Sequence, residues 1–264
     1  MGAGITPQKR WGQHFLRSGE LAVRIVEALH PEEGDVVLEI GPGEGMLTES
    51  LLHGRAERVL AVEIDERCCE HLANRFGHDE RFELIRGDIL DTAPCGWVQD
   101  EQKLRVIGNL PYYLTSPILF HLWEQRDCIR DIVVTVQKEV GDRIVSPPGS
   151  KAYGIPSVLF QAFGRVERLF PIPRAAFRPA PGVESTVIRL TFYEDPPYPI
   201  EDVGFFRKLV RTVFGQRRKM LRNTLKNLVE DENALQSLPL DLSRRPEDLS
   251  VAEFVQLSHE LSNR

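Results

Sequence analysis

The sequence predicts an α/β protein built on a doubly wound, mostly parallel sheet. Two observations support this prediction: strand and helix patterns alternate from residue 36 to residue 137, and the strands are nearly continuous apolar runs. Strands have this composition when helices cover both faces of a parallel sheet. With 264 residues and 42% hydrophobic content, the chain can form a large domain, alone or with a smaller one.

The alternating region contains five predicted strands and three predicted helices. The strands are VVLEI (36–40), VLAVEI (59–64), FELIRGD (82–88), LRVIGN (104–109) and DIVVTVQ (131–137). The helices are MLTESLLHG (46–54), DERCCEHLANRF (65–76) and TSPILFHLWEQ (115–125). Thr115 or Ser116 is expected to cap the third helix, because Pro117 then falls in its first turn.

The rest of the chain changes character after residue 193. Two further strands are predicted at RVERLFPI (165–172) and STVIRLTFY (185–193), and the second alternates as an exposed or edge strand does. EDPPYPIED (194–202) is predicted to be a linker, and helices are expected near 203–214, 217–229 and 250–261. The predicted domains are therefore residues 1–195 and residues 203–264.

Composition excludes several classes of protein. No apolar run approaches the roughly 20 residues of a membrane span, and the start, MGAGITPQKRWGQHFL, lacks the apolar core of a signal peptide. We expect a soluble, cytoplasmic protein. The scattered histidines predict no metal site. The four cysteines form no C-x-x-C pair and are predicted to be structural thiols; they are Cys68, Cys69, Cys95 and Cys128.

A glycine-rich turn, GPGEG, follows the first predicted strand. Gly41, Gly43 and Gly45 permit a tight turn and let a ligand approach the backbone. An ordinary glycine-rich loop is the alternative. A dinucleotide site would have a small residue at position 46, and Met46 therefore disfavours a nicotinamide cofactor.

Acidic residues end the next two strands. Glu63 follows the glycine turn by about 20 residues, where an acid binds ribose hydroxyls, and Asp88 ends the third strand, where a carboxylate can accept from an adenine amine. All three strand ends lie at the carboxyl edge, where open α/β sheets bind ligands. This order resembles the class I methyltransferases that use S-adenosylmethionine. The resemblance implies that Glu39 and the glycine loop surround the methionine part, Glu63 and Ile64 the ribose, and Asp88 and Ile89 the adenine.

The fourth strand ends in NLPYY (109–113). This segment resembles the Asn/Asp-Pro-Pro-Tyr/Phe motif of methyltransferases that modify exocyclic amines. The side-chain oxygen of Asn109 and a carbonyl of Leu110 or Pro111 could accept the two N–H groups of an adenine amine, and Tyr112 could stack on the base, for about 1–3 kcal/mol. The target base must leave its stack to enter such a pocket. The alternative is a turn whose aromatic rings pack into the core.

Longer stretches resemble one family, the small-subunit ribosomal RNA adenine dimethyltransferases (the KsgA family). GQHFL (12–16) is similar to its N-terminal cofactor motif, which implies cofactor roles for Gln13, His14 and Leu16; the family often has Asn where His14 stands, so the role of His14 stays open. AFRPAPGVESTVIRL (176–190) is similar to its F-x-P-x-P-x-V-x-S motif and implies that Phe177 faces Tyr112 across the base. A loop anchor is the alternative for Phe177. The fold implied is a mostly parallel sheet with an antiparallel last strand and a C-terminal helical, rRNA-binding domain.

The net charge is −6, yet eight basic residues and no acid lie between Phe205 and Lys226. A local basic segment matters more for phosphate binding than the total charge. The family resemblance extends through FGQRRKMLRNTL (214–225) and implies that this segment contacts RNA phosphates. A solvated basic helix face is the alternative. The candidate RNA contacts are Lys151, Arg217, Arg218, Lys219 and Arg222.

The motifs together predict a dimethyltransferase that acts on two adjacent adenines near the 3′ end of small-subunit rRNA, within a partly assembled subunit. S-adenosylmethionine is the implied cofactor, and nothing in the sequence requires an oligomer. Two rivals remain. One is a large-subunit rRNA dimethylase with the same catalytic motifs; the other is a non-catalytic RNA- or DNA-binding factor on the same fold.

Overall fold

A computed structural model describes residues 5–8, 11–99, 101–228, 235 and 237–262. The chain divides into two compact units. The first contains the residues up to Gly141 together with Glu167–Phe192, and the second contains Asp142–Val166 together with the residues from Tyr193 onward. The sequence analysis assigns residues 142–166 to the first domain, whereas their contacts group them with the C-terminal helices.

The first unit is organised around one seven-stranded sheet. Its strands are β2 (Val36–Ile40), β3 (Arg58–Glu63), β4 (Phe82–Arg86), β5 (Leu104–Asn109), β6 (Ile129–Gln137), β7 (Gly164–Ile172) and β9 (Ser185–Phe192), in the order β4-β3-β2-β5-β6-β9-β7. Strands β2 to β6 pair in parallel, and β9 runs antiparallel to β6. The predicted fold class is confirmed, with all seven predicted strands present.

One expectation about β9 is wrong. Its alternating pattern predicts an exposed or edge strand, but β9 lies between β6 and β7, and all but two of its residues are buried. The polar members of the alternation, Arg189 and Thr191, are the two half-buried residues, whereas Val187 on the same face is fully buried. The two edges of the sheet are β7 and β4.

Helices cover the sheet, and local sequence explains where they begin. They are α1 (Gly19–Leu29), α2 (Met46–Leu52), α3 (Glu66–Phe76), α4 (Thr115–Glu124) and α5 (Lys138–Val145). Ser18 and Asp65 cap α1 and α3 by accepting backbone N–H groups. The expected cap of α4 is wrong: Leu114 occupies the cap position, and the Thr115 hydroxyl donates to the carbonyl of Pro111.

A small two-stranded sheet was not predicted. It pairs β1 (Phe15–Leu16) with β8 (Phe177–Arg178) in antiparallel register, with Leu16 opposite Phe177. This pairing brings the GQHFL and F-x-P motifs together although they are about 160 residues apart in the chain. Both motifs therefore lie in the same unit as the main sheet.

The second unit consists mainly of α6 (Ile155–Phe163), α7 (Val203–Phe214), α8 (Leu221–Leu225) and α9 (Val251–Ser262). Aromatic contacts explain why α6 belongs here, because the Phe163 and Phe206 rings meet edge to face at 6.2 Å. The expected helix at 217–229 is wrong in extent. Residues 217–219 form a turn before the short α8, and position 229 lies outside the described residues.

The cysteine prediction is wrong for two of the four residues. Cys95 and Cys128 form a disulfide, with Cα atoms 5.3 Å apart, while Cys68 and Cys69 are buried thiols. Cys95 and Cys128 lie in two short turns that contact each other in the fold, and a separation of 33 residues carries no local signal of this contact. Among the described residues, no helix is long and apolar enough to cross a membrane.

Candidate active site

The carboxyl ends of β2, β3 and β5 and the turn after β4 open into a cavity of about 100 Å³. Of the predicted cofactor and catalytic residues, twelve line it: Gln13, His14, Gly41, Gly43, Glu63, Ile64, Asp88, Ile89, Asn109, Leu110, Pro111 and Tyr112. A second cavity of about 20 Å³ adjoins it and is lined by Leu16, Glu39, Gly41 and Asn109, among others. Gly45 and Phe177 line neither cavity.

The glycine turn is shaped by close neighbours. Gly43 has a φ of +59°, and a Cβ there would lie 2.8 Å from the Phe15 ring. Gly45 has a φ of +80°, and its Cβ would lie 2.5 Å from the Phe76 ring. Gly43 therefore keeps the cavity wall open, whereas Gly45 lets α3 pack behind the turn.

Glu63 joins the glycine turn to the end of β3. One of its carboxylate oxygens accepts the N–H of Gly43 at 3.0 Å, and the other accepts the N–H groups of Ile64 and Asp65 at 3.0 and 2.9 Å. Burial raises the pKa of Glu63. The carboxyl group thus holds the backbone of the cavity wall in place.

Glu39 is almost completely buried at the end of β2. The Thr48 hydroxyl donates to Oε2 at 2.6 Å, but Oε1 has no hydrogen-bond partner among the described residues. Burial raises the pKa of Glu39 to about 8. A buried oxygen that lacks a donor is a natural partner for a cationic or N–H group of a ligand. The smaller cavity therefore fits the ammonium end of a cofactor's methionine part.

Asp88 and two isoleucines form the far end of the larger cavity. Asp88 accepts the N–H of Leu90 at 2.9 Å and so caps the turn that carries Ile89. Ile89 is buried, whereas Ile64 is 40% exposed at the cavity mouth. Apolar walls beside one carboxylate suit a flat base with an amino group, so the residues present fit the adenosine part of S-adenosylmethionine.

Asn109 is held in one orientation. Its Nδ2 donates to the carbonyl of His14 at 2.8 Å, and its Oδ1 is buried without a partner among the described residues. Because a carbonyl cannot donate, this contact fixes which end of the amide is the oxygen. The free acceptor is the group that an exocyclic amine requires.

The two candidate carbonyls beside Asn109 differ in their surroundings. The Pro111 carbonyl accepts from the Leu114 N–H at 3.0 Å and from the Thr115 hydroxyl at 3.1 Å, because it begins the turn into α4. The Leu110 N–H is bonded to the carbonyl of Thr135. These contacts favour the Leu110 carbonyl as the second acceptor.

Tyr112 is restrained at its face and at its hydroxyl. The His14 ring stacks on it with centroids 5.3 Å apart, and the hydroxyl lies 2.5 Å from that of Ser185. Phe177 was expected on the opposite side of the base, but its ring is buried in the hydrophobic core with Leu16. In this structure the aromatic neighbour of Tyr112 is His14.

His14 and Gln13 use their side chains within the protein. His14 Nδ1 forms a 2.7 Å hydrogen bond with the carbonyl of Pro179. Gln13 donates to Asp65 and accepts from the N–H of Gln8, both at 2.8 Å. The GQHFL segment thus ties the N-terminal residues to the end of β3 and to the loop that follows Phe177.

Sequence reasoning missed several lining residues, including Trp11, Gly12, Val62, Tyr113, Leu114 and Ile118. Tyr113 and Leu114 could have been found, because they follow NLPY directly, whereas Ile118 lies further along, in α4. Ser185 was quoted only as part of a motif, and nothing in its spacing indicates a contact with Tyr112. No group of side chains among the described residues could hold a metal ion.

The candidate RNA contacts lie in the second unit and are not equivalent. Lys151, Arg218, Lys219 and Arg222 are exposed. Arg217 instead pairs with the carboxylate of Glu247 and donates to the carbonyl of Lys151 at 2.6 Å. The guanidinium of Arg217 therefore holds the loop that carries Lys151.

Comparison with known proteins agrees with this geometry. A family model described as "Ribosomal RNA adenine dimethylase" matches residues 5–263. The "Ribosomal RNA small subunit methyltransferase A" of Pseudomonas aeruginosa is 42% identical, over 97% of this chain and 94% of that protein.

Solved structures show the same fold. A dimethyladenosine transferase from Plasmodium falciparum is 25% identical, with a TM-score of 0.82 over 95% of this chain and 98% of that one. The 23S rRNA methyltransferase ErmE shares the fold at 22% identity, with a TM-score of 0.71 over 94% of this chain and 99% of that one. With the cavity and the full-length match, these findings show that the chain belongs to the ribosomal RNA adenine dimethylase family, enzymes that use S-adenosylmethionine.

Proposed function

We propose that this enzyme transfers two methyl groups to the N6 amine of each of two adjacent adenines near the 3′ end of small-subunit rRNA. The observation that carries the proposal is the unpaired, buried Oδ1 of Asn109, which is held in place by the His14 carbonyl. An acceptor in this position suits an amine that must be gripped by its N–H groups. S-adenosylmethionine would supply the methyl group from a positive sulfonium, with the neutral thioether of S-adenosylhomocysteine as the leaving group and the proton of the methylated amine lost to water.

Catalysis by this chain then consists of positioning and hydrogen bonding. An adenine amine is a poor nucleophile, because its lone pair is delocalised into the ring. Acceptance of its N–H groups by Asn109 Oδ1 and by the Leu110 carbonyl favours a pyramidal nitrogen whose lone pair faces the methyl group. The ring of Tyr112 stacks on the base and fixes its plane. No strong base is needed before transfer.

In this proposal the cofactor lies across both cavities. Glu39, Leu16 and the glycine loop would face its methionine part. Glu63 and Ile64 would face its ribose. Asp88 and Ile89 enclose the adenine. Gln13 and His14 shape the wall beside it. The roles of Gly45 and Phe177 are indirect, since the first packs against α3 and the second lies in the core next to β1.

The small-subunit assignment rests on the basic segment and on the relatives named above. Exposed Lys151, Arg218, Lys219 and Arg222 are proposed to contact rRNA phosphates, with the second unit as the rRNA-binding domain. We propose a monomer that acts on a partly assembled subunit in the cytoplasm.

The test uses small subunits whose rRNA lacks these methyl groups. We expect the purified protein to transfer label from S-adenosylmethionine, and mass spectrometry of rRNA fragments to find two neighbouring dimethyladenines. Asn109→Ala should bind subunits and transfer nothing. Label in large-subunit rRNA instead would favour the large-subunit rival, and a wild type that behaves like Asn109→Ala would favour the non-catalytic one.

A further inference from the structure

We propose that Ser185 is a positioning residue for methyl transfer, because its hydroxyl holds the ring of Tyr112 in the orientation that receives the target adenine. The inference rests on the proposed function and adds a residue to it. It also explains why a tyrosine, with a hydroxyl group, stands at position 112. Stacking on the base needs only an aromatic face, which phenylalanine would supply equally well.

The contact is short and well protected. The Tyr112 and Ser185 oxygens lie 2.5 Å apart, a hydrogen bond in which either hydroxyl can donate. Ser185 is fully buried at the first position of β9, so its Cα is fixed by the sheet. A hydrogen bond to a rigid strand restrains the far end of the Tyr112 side chain more firmly than one to a loop would.

Sheet register places Ser185 on the catalytic side. Asn109 pairs with Thr135 in β6, and Thr135 pairs with Val187 in β9. Directly opposed residues share a face of the sheet, and residues two apart on one strand do so as well. Ser185 therefore lies on the same face as Asn109, two positions from Val187. The sheet therefore carries both Asn109, with its acceptor oxygen, and Ser185, whose hydroxyl binds Tyr112, on one face.

The hydroxyl of Tyr112 is bound by the protein rather than free in the cavity, since it lies 2.5 Å from the Ser185 hydroxyl. Burial raises the pKa of Tyr112, so the phenol stays neutral at physiological pH and can donate in this contact. His14 stacks against the ring and Ser185 binds its tip, so the side chain is restrained at two points. Loss of the Ser185 bond would leave the ring free to swing about χ1, and fewer encounters with the base would be productive.

The neighbouring residue offers a matched control. Thr186 is also buried, and its hydroxyl donates to the carbonyl of Phe170 at 3.2 Å. It points to the opposite face of the same strand, away from Asn109. Thr186→Val removes a buried hydrogen bond of β9 while it keeps the side-chain shape.

The experiment compares Ser185→Ala, Tyr112→Phe, the double variant and Thr186→Val with the wild type. The assays are single-turnover methylation of unmethylated small subunits and the dissociation constant of S-adenosylhomocysteine. We expect each of the first two variants to lower the rate of methyl transfer about 3- to 10-fold, the range that one net hydrogen bond corresponds to. The double variant should be no slower than either single one. The affinity of these variants for S-adenosylhomocysteine should stay within about twofold of the wild-type value. Thr186→Val should transfer methyl groups at the wild-type rate. Ser185→Thr should be more active than Ser185→Ala.

Several results would overturn the proposal. Multiplicative losses in the double variant would show that the two hydroxyl groups act separately. If Thr186→Val lowered the transfer rate as much as Ser185→Ala does, the effect would be a general one on β9. If Ser185→Ala weakened the binding of S-adenosylhomocysteine, Ser185 would act on the cofactor and not on Tyr112. These outcomes require an active wild type. A wild type that methylates no rRNA would refute the proposed function and this inference together.

Discussion

Glu39→Gln should change how the stability of the cofactor-free protein depends on pH. The Glu39 carboxyl is buried, with a pKa raised from 4.5 to about 8 by burial, so the folded protein binds a proton that the unfolded chain releases. The sign follows directly: folding stability is greatest below the unfolded pKa and is lost as pH rises towards the folded one. A tenfold change in an equilibrium constant is about 1.4 kcal/mol, so the full loss is roughly 5 kcal/mol, as an order of magnitude. Glutamine keeps the shape and an acceptor for Thr48 but cannot ionise.

The assay is urea unfolding of wild type and variant between about pH 5 and pH 9, analysed with a common slope. The two proteins should be nearly equally stable at the acidic end, and the variant should be the more stable by several kcal/mol at the alkaline end. Glu27→Gln serves as the control, because Glu27 is exposed on α1 and its loss should leave the pH profile unchanged. Parallel curves for wild type and Glu39→Gln would refute the reasoning, since Glu39 would then be ionised in the folded protein.

Three further variants test other charges. Arg105→Ala should lower the free energy of unfolding by about 3–5 kcal/mol, because it leaves the buried carboxylate of Asp131 without its partner. Equilibrium unfolding measures this change. A loss below about 1 kcal/mol would contradict the prediction. Lys219→Gln should reduce the slope of log affinity for rRNA against log salt by about 0.7–0.9 if it contacts one phosphate. Arg217→Gln should weaken binding with a smaller change in that slope, since the Arg217 guanidinium is paired with Glu247; equal slope changes for the two variants would contradict this difference.

The sheet was predictable because its signal is local. Four strands of the parallel core are mainly apolar runs, and β4 is a half-exposed edge strand. Each predicted contact with the cofactor or the target base, except Phe177 and those in GQHFL, stands at a strand end or in the turn that follows. The position of β9 was not predictable in this way. Its alternating pattern from Val187 to Phe192 indicates an exposed or edge strand, yet β7 pairs beyond it and only Arg189 and Thr191 are half-buried. Neighbours that are distant in the chain overrode the pattern.

The same limit applies to the site. The motif NLPYY indicated that Asn109 and Tyr112 act on an amine, but not how they are held. The carbonyl that orients Asn109 belongs to His14, and the hydroxyl that binds Tyr112 belongs to Ser185, respectively 95 residues before and 73 residues after their partners. The pairing of Cys95 with Cys128 was missed for the same reason. Contacts of this kind depend on the packing of whole elements.

Two buried oxygens in this site have no partner among the described residues, Oε1 of Glu39 and Oδ1 of Asn109. Each costs about 1–3 kcal/mol in the empty protein, because a buried acceptor without a donor has lost its water. Both belong to residues that line the smaller cavity, and Asn109 lines the larger one as well. These two acceptors share one wall of the site. Their cost is offset when an ammonium and an amine bind there, so the empty protein is destabilised at the same atoms that recognise cofactor and substrate. Glu39→Gln therefore tests more than a pKa: a variant that is more stable at alkaline pH and binds the cofactor more weakly would show that the two properties share one oxygen.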